Sequence, residues 1–310
     1  MDRKYDVLCA LDTCVDVLVQ CGQVVPEFGQ KEQLIEGYEM ELGGSNGIFG
    51  CQAAKLGLQV AGIGVVGGDF FGSFVREKLK EAGVDITYLQ ENIEKKTALG
   101  ITLCRDDGDR GILTYLGTLD EVEPWQMSDE LLLQARHLHI GSYYLMGKIR
   151  RGSQDLVRRA KSLGLTVSLD TNWDPEEKWG EELWELLPMI DVFLPNDTEI
   201  QAITKEKNLS RAMEMLGRQV PVVAVKCGGQ GARAYSRGQW YTVESSSVPV
   251  VDTVGAGDSF DGGFLYGYLN GRNIKECLQI GCFCGSHNVT KAGGVAGQPT
   301  LEQWLDFTAG

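Results

Sequence analysis

Apolar and polar positions along the chain follow two rhythms. Six short apolar runs rich in β-branched residues fall at 5–10, 60–66, 137–141, 165–170, 191–195 and 221–226. Between them, apolar positions recur at helical spacing over 50–56, 73–82, 154–163, 182–187 and 209–217. Short continuous apolar runs suit strands buried on both faces. Their alternation with helices predicts an α/β fold with a mostly parallel central sheet covered by helices on both faces. No period of 20–50 residues repeats, and no low-complexity linker divides the chain.

Two stretches break this rhythm. Residues 17–40 and 96–116 contain alternating, β-prone segments (Val17-Leu18-Val19, Ile101-Thr102-Leu103-Cys104) and a turn-rich Asp106-Asp107-Gly108-Asp109. They are expected to form strands of a small sheet outside the main one. Such an excursion can serve as a lid or decorate a sheet edge, and periodicity alone leaves both open. The expected organisation is a core of 1–16, 41–95 and 117–310 and a β-sheet lid of 17–40 and 96–116.

Composition narrows the function classes. The chain has 310 residues, 43% hydrophobic and 23% charged, enough for one large α/β domain or two smaller ones. Its net charge of −14 disfavours nucleic acid as a partner. Asp6, Asp12 and Asp16 interrupt the N-terminal apolar stretch, so no signal peptide is expected. No uncharged apolar run approaches the ~18 residues of a membrane span. The nine cysteines are odd in number and several lie in strand-like runs, so reduced thiols and a cytoplasmic location are expected, with no membrane. His137, His139 and His287 are too scattered for a triad or metal site and read as structural.

Polar residues end several predicted strands: Asp12 and Asp16 after the first, Asp170-Thr171-Asn172 and Asn196 after later ones. Ligands of parallel sheets bind at such carboxyl ends. The densest signal is Asp252-Thr253-Val254-Gly255-Ala256-Gly257-Asp258, followed by apolar residues at 260, 264, 265 and 268. This spacing predicts a helix that begins in the glycine loop. Bare amides of a helix N-terminus flanked by small residues can hold an anion. Asp258 there can cap the helix or accept a proton from a hydroxyl beside a bound phosphate. No Gly-Lys-Ser/Thr follows, which disfavours a P-loop. The loop lies too late in the chain for a dinucleotide fingerprint.

This stretch resembles the DTxGAGD signature of the ribokinase-like (PfkB) carbohydrate kinases. Other segments occur in family order across nearly the whole chain: Gly43-Gly44-Ser45-Asn46-Gly47, Gly64-Val65-Val66-Gly67-Gly68-Asp69-Phe70-Phe71-Gly72, Asp170-Thr171-Asn172, Asn196-Asp197-Thr198-Glu199 and Gly228-Gly229-Gln230-Gly231-Ala232. The resemblance implies a ribokinase-like three-layer fold with a β lid, and a cytoplasmic phosphotransferase using ATP and Mg²⁺ on a hydroxyl of a small sugar or sugar acid. Asp258 would be the general base, and the amides of Gly255, Ala256 and Gly257 the anion hole. Asp16, Gly43 and Gly44 would hold the sugar, with Asp12, Asn46 and Asn172 as further candidates. Lys226, Gly228, Gly231 and Asn196 would lie along the nucleotide. Asn196 and Glu199 would place Mg²⁺ through water. In some members a monovalent cation such as K⁺ sits beside the anion loop, here near Asp252 and Gly293-Gly294. A homodimer could form through the lid.

The chain departs from the family pattern in three places: Leu11-Asp12 ahead of the sugar aspartate, Ile48 where asparagine is usual, and Lys226 where threonine is common. Two other functions stay open. One is a nucleoside kinase of the same fold, with Ile48, Phe49 and Cys14 walling a base. The other is a sugar sensor without catalysis. Arg105, Arg110 and Lys96 are the candidates for a second phosphate site on the predicted lid.

Overall fold

The computed structural model describes residues 3–107 and 109–309, so Gly108 of the predicted turn lies outside the described residues. Thirteen strands and ten α-helices occur among the described residues. Nine strands form the central sheet: β1 (Tyr5–Ala10), β4 (Val60–Gly67), β5 (Asp85–Asn92), β8 (Ala135–Ile140), β9 (Thr166–Leu169), β10 (Val192–Phe193), β11 (Val222–Lys226), β12 (Ala232–Ser236) and β13 (Gln239–Val243). Their order is β13-β12-β11-β10-β9-β8-β1-β4-β5. Every pair from β5 across to β11 is parallel, and β12 and β13 close the edge antiparallel.

β4 is buried at all eight positions, which is why it reads as one unbroken apolar run. On β1, Leu8 and Ala10 point into one core and Val7 and Cys9 into the other. The first core is covered by α3 (Asp129–Leu132), α4 (Gly147–Ser162), α5 (Glu181–Leu186), α6 (Asp197–Thr204) and α7 (Leu209–Leu216). The second is covered by α1 (Ser45–Lys55), α2 (Phe70–Glu81), α8 (Ala256–Leu269) and α9 (Ile274–Asn288). The last helix, α10 (Leu301–Ala309), sets Trp304 against Phe283 of α9 at 5.2 Å between ring centroids. Side chains such as Leu138, Leu156 and Phe264 are fully buried, each worth roughly 1.5–3 kcal/mol of transfer free energy. The result is a three-layer α/β arrangement, a mostly parallel sheet between two layers of helices.

The two stretches outside the main rhythm contribute to a four-stranded second sheet: β2 (Cys14–Gly22), β3 (Gly37–Gly43), β6 (Ala98–Arg105) and β7 (Arg110–Tyr115). Its order is β3-β2-β6-β7, with β2 and β6 parallel at the centre. β2 follows β1 after three residues and β3 leads directly into α1, so the second sheet is set at the carboxyl end of β1. Among the described residues, no helix is long and apolar enough to cross a membrane.

Candidate active site

Parallel pairing brings residues far apart in sequence to one edge. Asp12 follows β1, Ser142 follows β8, Asp170 follows β9 and Asn196 follows β10, and these strands are neighbours with β11. A cleft of about 800 Å³ opens there, lined by Ser45, Asn172, Asn196, Lys226, Gly257 and Asp258 among others. Gly228, Gly231, Ser245, Ser246 and Ser247 line it as well.

The glycine loop ends in α8 as its spacing predicts. Gly255 is the N-cap, left-handed at φ 72°. A Cβ on it would lie 2.8 Å from Gly294 Cα and 2.9 Å from Ile48 Cγ2, so the position requires glycine on both counts. No side chain caps α8. The amide of Ala256 makes only a 3.3 Å bond to the Thr253 carbonyl. Ala256, Gly257 and Asp258 line the cleft, so the positive end of a fourteen-residue helix is presented to it.

Asp258 stands in this first turn. Burial, then the charge of Asp170, pushes its carboxyl up to about 8, against the pull of Lys226. A carboxylate so placed can take a proton near neutral pH. Lys226 lies beneath the loop: a Cβ on Gly257 would sit 3.6 Å from its Nζ. Its ammonium donates to Asp170 Oδ2 at 3.0 Å and to Asp261 Oδ2 and Oδ1 at 3.0 and 3.2 Å. The expected nucleotide contact at Lys226 is therefore a cleft-lining residue whose charge is already committed to two carboxylates. Burial opposes that charge, but Asp170, Asp261 and Glu199 outweigh it and hold the ammonium above its usual range.

The acceptor candidates divide into two groups. Asp12 is 2% exposed. It accepts from the amides of Asn46 and Ser45 at 2.9 and 3.2 Å, capping α1, and from the Ser142 hydroxyl. Asn46 is fully buried; its Oδ1 accepts from the Gly141 amide at 3.0 Å and its Nδ2 faces Met146 Sδ. Both side chains are turned into the protein rather than toward an acceptor: Asp12 satisfies the first amides of α1, and Asn46 the amide of Gly141 after β8. Asn172 lines the cleft, donating through Nδ2 to Ser45 Oγ at 2.7 Å and Ser142 Oγ at 3.1 Å. Asp16 lies between two glycines: a Cβ on Gly43 or on Gly100 would come within 2.3 or 2.4 Å of its carboxylate oxygens. Gly44, at φ 90°, has no room for a Cβ against the Asp12 carbonyl 2.3 Å away.

Asn196 and Glu199 form a capping box at the start of α6, each side chain accepting from the other's amide at 2.8 Å. Both line the cleft. Burial and Asp170 push the Glu199 carboxyl up to about 7. A carboxylate held protonatable by burial and a like charge is one that a divalent cation would relieve, so the pair fits a role around Mg²⁺. Gly228 and Gly231 border the cleft at φ 52° and 88°.

The sequence did not single out Ser45, Ser142 or Asp261. Asp261 carried a signal: it is an acid on the apolar face of α8, one turn after Asp258 and 1% exposed. His137 and His139 lie in the sheet on β8, and His287 lies in α9. His137 bonds Thr166 and Ser168 hydroxyls, both at 2.7 Å, and His139 stacks on Phe49.

Comparison with known proteins agrees with this geometry. The model of the pfkB family of carbohydrate kinases matches residues 8–301. An ATP-dependent ribose-1-phosphate kinase of Halopiger xanaduensis is 30% identical over 82% of this chain and 83% of its own. A probable fructokinase-2 of Arabidopsis thaliana is 26% identical over 94% of this chain and 95% of its own. Among solved structures, a putative ribokinase II from E. coli superimposes with a TM-score of 0.88 in its apo form, at 24% identity, covering 98% of this chain and 99% of that one. Its complex with ATP and Mg²⁺ gives 0.86 at the same identity and coverage. With the glycine loop, its aspartate and the strand-end cleft in place, the chain belongs to the pfkB family and is a carbohydrate kinase.

Proposed function

We propose that the enzyme moves the γ-phosphoryl of ATP to a hydroxyl of a small sugar or sugar acid, with Asp258 as general base. The observation that carries this reading is Asp258 in the first turn of an uncapped helix that lines the cleft. The acceptor hydroxyl gives its proton to the Asp258 carboxylate as its oxygen attacks phosphorus. The bond to ADP breaks, and ADP leaves with the electron pair. The amides of Gly255, Ala256 and Gly257 hold the oxygens of the transferring group, which is the charge stabilisation this chemistry asks for most. Mg²⁺, when bound, neutralises phosphate charge. Asn196 and Glu199 are the residues that help hold it. Asp16, Gly43, Gly44 and Asn172 border the acceptor, with Asp12 and Asn46 holding α1 from behind. Gly228 and Gly231 border the nucleotide, and the strands of the second sheet act as the lid.

Two observations support a sugar over a nucleoside. Ile48, Phe49 and Cys14 are only 2%, 0% and 9% exposed, so they offer no apolar wall to a base. The acceptor end instead presents the carboxylate of Asp16, set between Gly43 and Gly100. A polyol satisfies carboxylates by donating hydroxyls. The test is ADP release with pentoses, hexoses, keto-deoxy acids and nucleosides as acceptors. A nucleoside as the preferred acceptor overturns the sugar assignment, and ADP release with no acceptor in the panel favours a sensor.

Tyr38 of β3 and Ile112, Leu113 and Tyr115 of the edge strand β7 are 69%, 66%, 62% and 51% exposed. An apolar edge of this kind pairs readily with another strand. The proposal includes a homodimer through this sheet, checked by light scattering of the eluting protein with and without a glutamate at Leu113.

A further inference from the structure

The resemblance to the family implies a monovalent cation beside the anion loop, near Asp252 and Gly293-Gly294. The groups around that place already have donors within the chain. Asp252 is 5% exposed. Its Oδ2 accepts from the Gly293 amide at 3.0 Å, and its Oδ1 from the Val254 amide at 3.2 Å. Oδ1 also accepts from Nη1 of Arg110 at 3.2 Å. The Val254 carbonyl accepts from Asn288 Nδ2 at 2.7 Å, and the Val295 carbonyl from Lys55 Nζ at 2.8 Å. Two of these donors are full positive charges. An alkali cation there would be repelled by Arg110 and would compete with it for a single buried carboxylate. These residues do not fit the ion.

We infer that Arg110 is the resident cation of the anion loop: a positioning residue that fixes Asp252 from the small sheet and leaves phosphoryl transfer independent of alkali cations. The inference rests on the kinase reading of the site. Arg110 opens β7, a strand exposed at all six positions, yet it reaches a nearly buried aspartate 142 residues away. A guanidinium is charged at every working pH and is weakly hydrated, so it suits a half-buried pair better than an ammonium does. Asp252 in turn holds the amide of Val254, the residue before the Gly255 N-cap. The opposite edge of the small sheet meets the same region, because a Cβ on Gly293 would strike Glu41 Cγ of β3 at 2.4 Å. Both edge strands thus contact the supports of the loop. The charge that orders the loop is delivered by the sheet itself, so loop geometry follows sheet position.

The test compares the wild type with Arg110→Ala and Arg110→Lys in K⁺ and in tetramethylammonium at equal ionic strength. Two readouts are taken: steady-state rate with the best acceptor, and melting temperature without substrates. Wild-type kcat is expected to differ by less than about twofold between the salts, and its melting temperature to be the same in both, since an ion that does not bind cannot stabilise. Arg110→Ala is expected to lose roughly tenfold or more in kcat with a smaller change in KM. K⁺ or millimolar guanidinium should restore part of that loss, and K⁺ should now raise the variant's melting temperature. Arg110→Lys should fall between the two. The inference is overturned by saturable K⁺ activation or stabilisation of the wild type. It is equally overturned by full kcat in Arg110→Ala, or by a loss that neither K⁺ nor guanidinium relieves. The melting arm needs no acceptor, so it stands even where the acceptor panel fails and the kinase reading falls with it.

Discussion

Lys226 and Asp261 meet at 3.0 Å beneath the first turn of α8. Lys226 also touches Asp170 at 3.0 Å, and its side chain is 12% exposed while those of Asp170 and Asp261 are 3% and 1%. This three-membered cluster links β11, the end of β9 and α8, three of the elements that border the cleft. Removing the cation leaves two carboxylates buried without a counter-charge, the costly way to break an ion pair. Lys226→Met is therefore expected to lose about 3–5 kcal/mol of stability. Lys226→Met combined with Asp261→Asn should cost less than the sum of the two single changes, because the partner charge goes with it. Denaturant titration of the four proteins measures this. Equal and additive losses would show that the pair is not coupled.

Asp258→Asn keeps the shape of the first turn and removes the proton acceptor. Turnover is expected to fall by about 10²–10⁴-fold, the range ascribed to a placed general base. KM for acceptor and nucleotide should stay within a few-fold, because the amides of α8 remain. Steady-state kinetics with the acceptor found by the panel decides it, and an unchanged kcat removes Asp258 from the chemistry.

The pH profile tests the same residue differently. A base works only when ionised, and the Asp258 carboxyl is raised to about 8. The kcat/KM of the enzyme should therefore climb with pH through about 8, since that ratio reports the free enzyme. Stability should carry the opposite sign. Folding raises this carboxyl from 3.8 to about 8, so the folded state keeps a proton the unfolded chain has released. Its contribution is present below 3.8 and is lost as pH rises through about 8. Melting temperatures of wild type and Asp258→Asn should converge at low pH. At high pH the wild type should be the less stable. A flat difference across pH would refute the raised carboxyl.

What the sequence revealed follows from how local each signal is. β4 was legible because both faces are buried, whereas β12 is buried only at alternate positions and β13 at none, so they carry no such run. The glycine loop was legible because its glycines and Asp258 are contiguous. The ion pairs around it were not. Asp261 lies 35 residues from Lys226, and Arg110 lies 142 from Asp252. Only the parallel order of the sheet and the placement of β7 bring them together. Asn46 shows the converse limit. It stands in the glycine-glycine motif yet points into the core, because α1 begins beneath the Gly141 amide that it must satisfy.

Gly255 offers the sharpest separation between stability and catalysis. At φ 72° an alanine pays for a left-handed backbone, roughly 1–2 kcal/mol. Its Cβ would also press on Gly294 Cα at 2.8 Å and Ile48 Cγ2 at 2.9 Å. Backbone cannot yield as a flexible side chain would, so the turn itself must shift and carry the amides of Ala256 and Gly257 with it. Aimed amides are worth a few kcal/mol each in transition-state stabilisation, and a small misplacement forfeits much of that. Gly255→Ala is therefore expected to unfold only a few degrees earlier but to lose about 10²-fold or more in kcat. Acceptor KM should change little, because Asp16 and Asn172 lie outside the loop. Calorimetry beside steady-state kinetics would show it. A variant whose kcat falls no further than its stability would mean that the amides of this turn do not hold the transferring group.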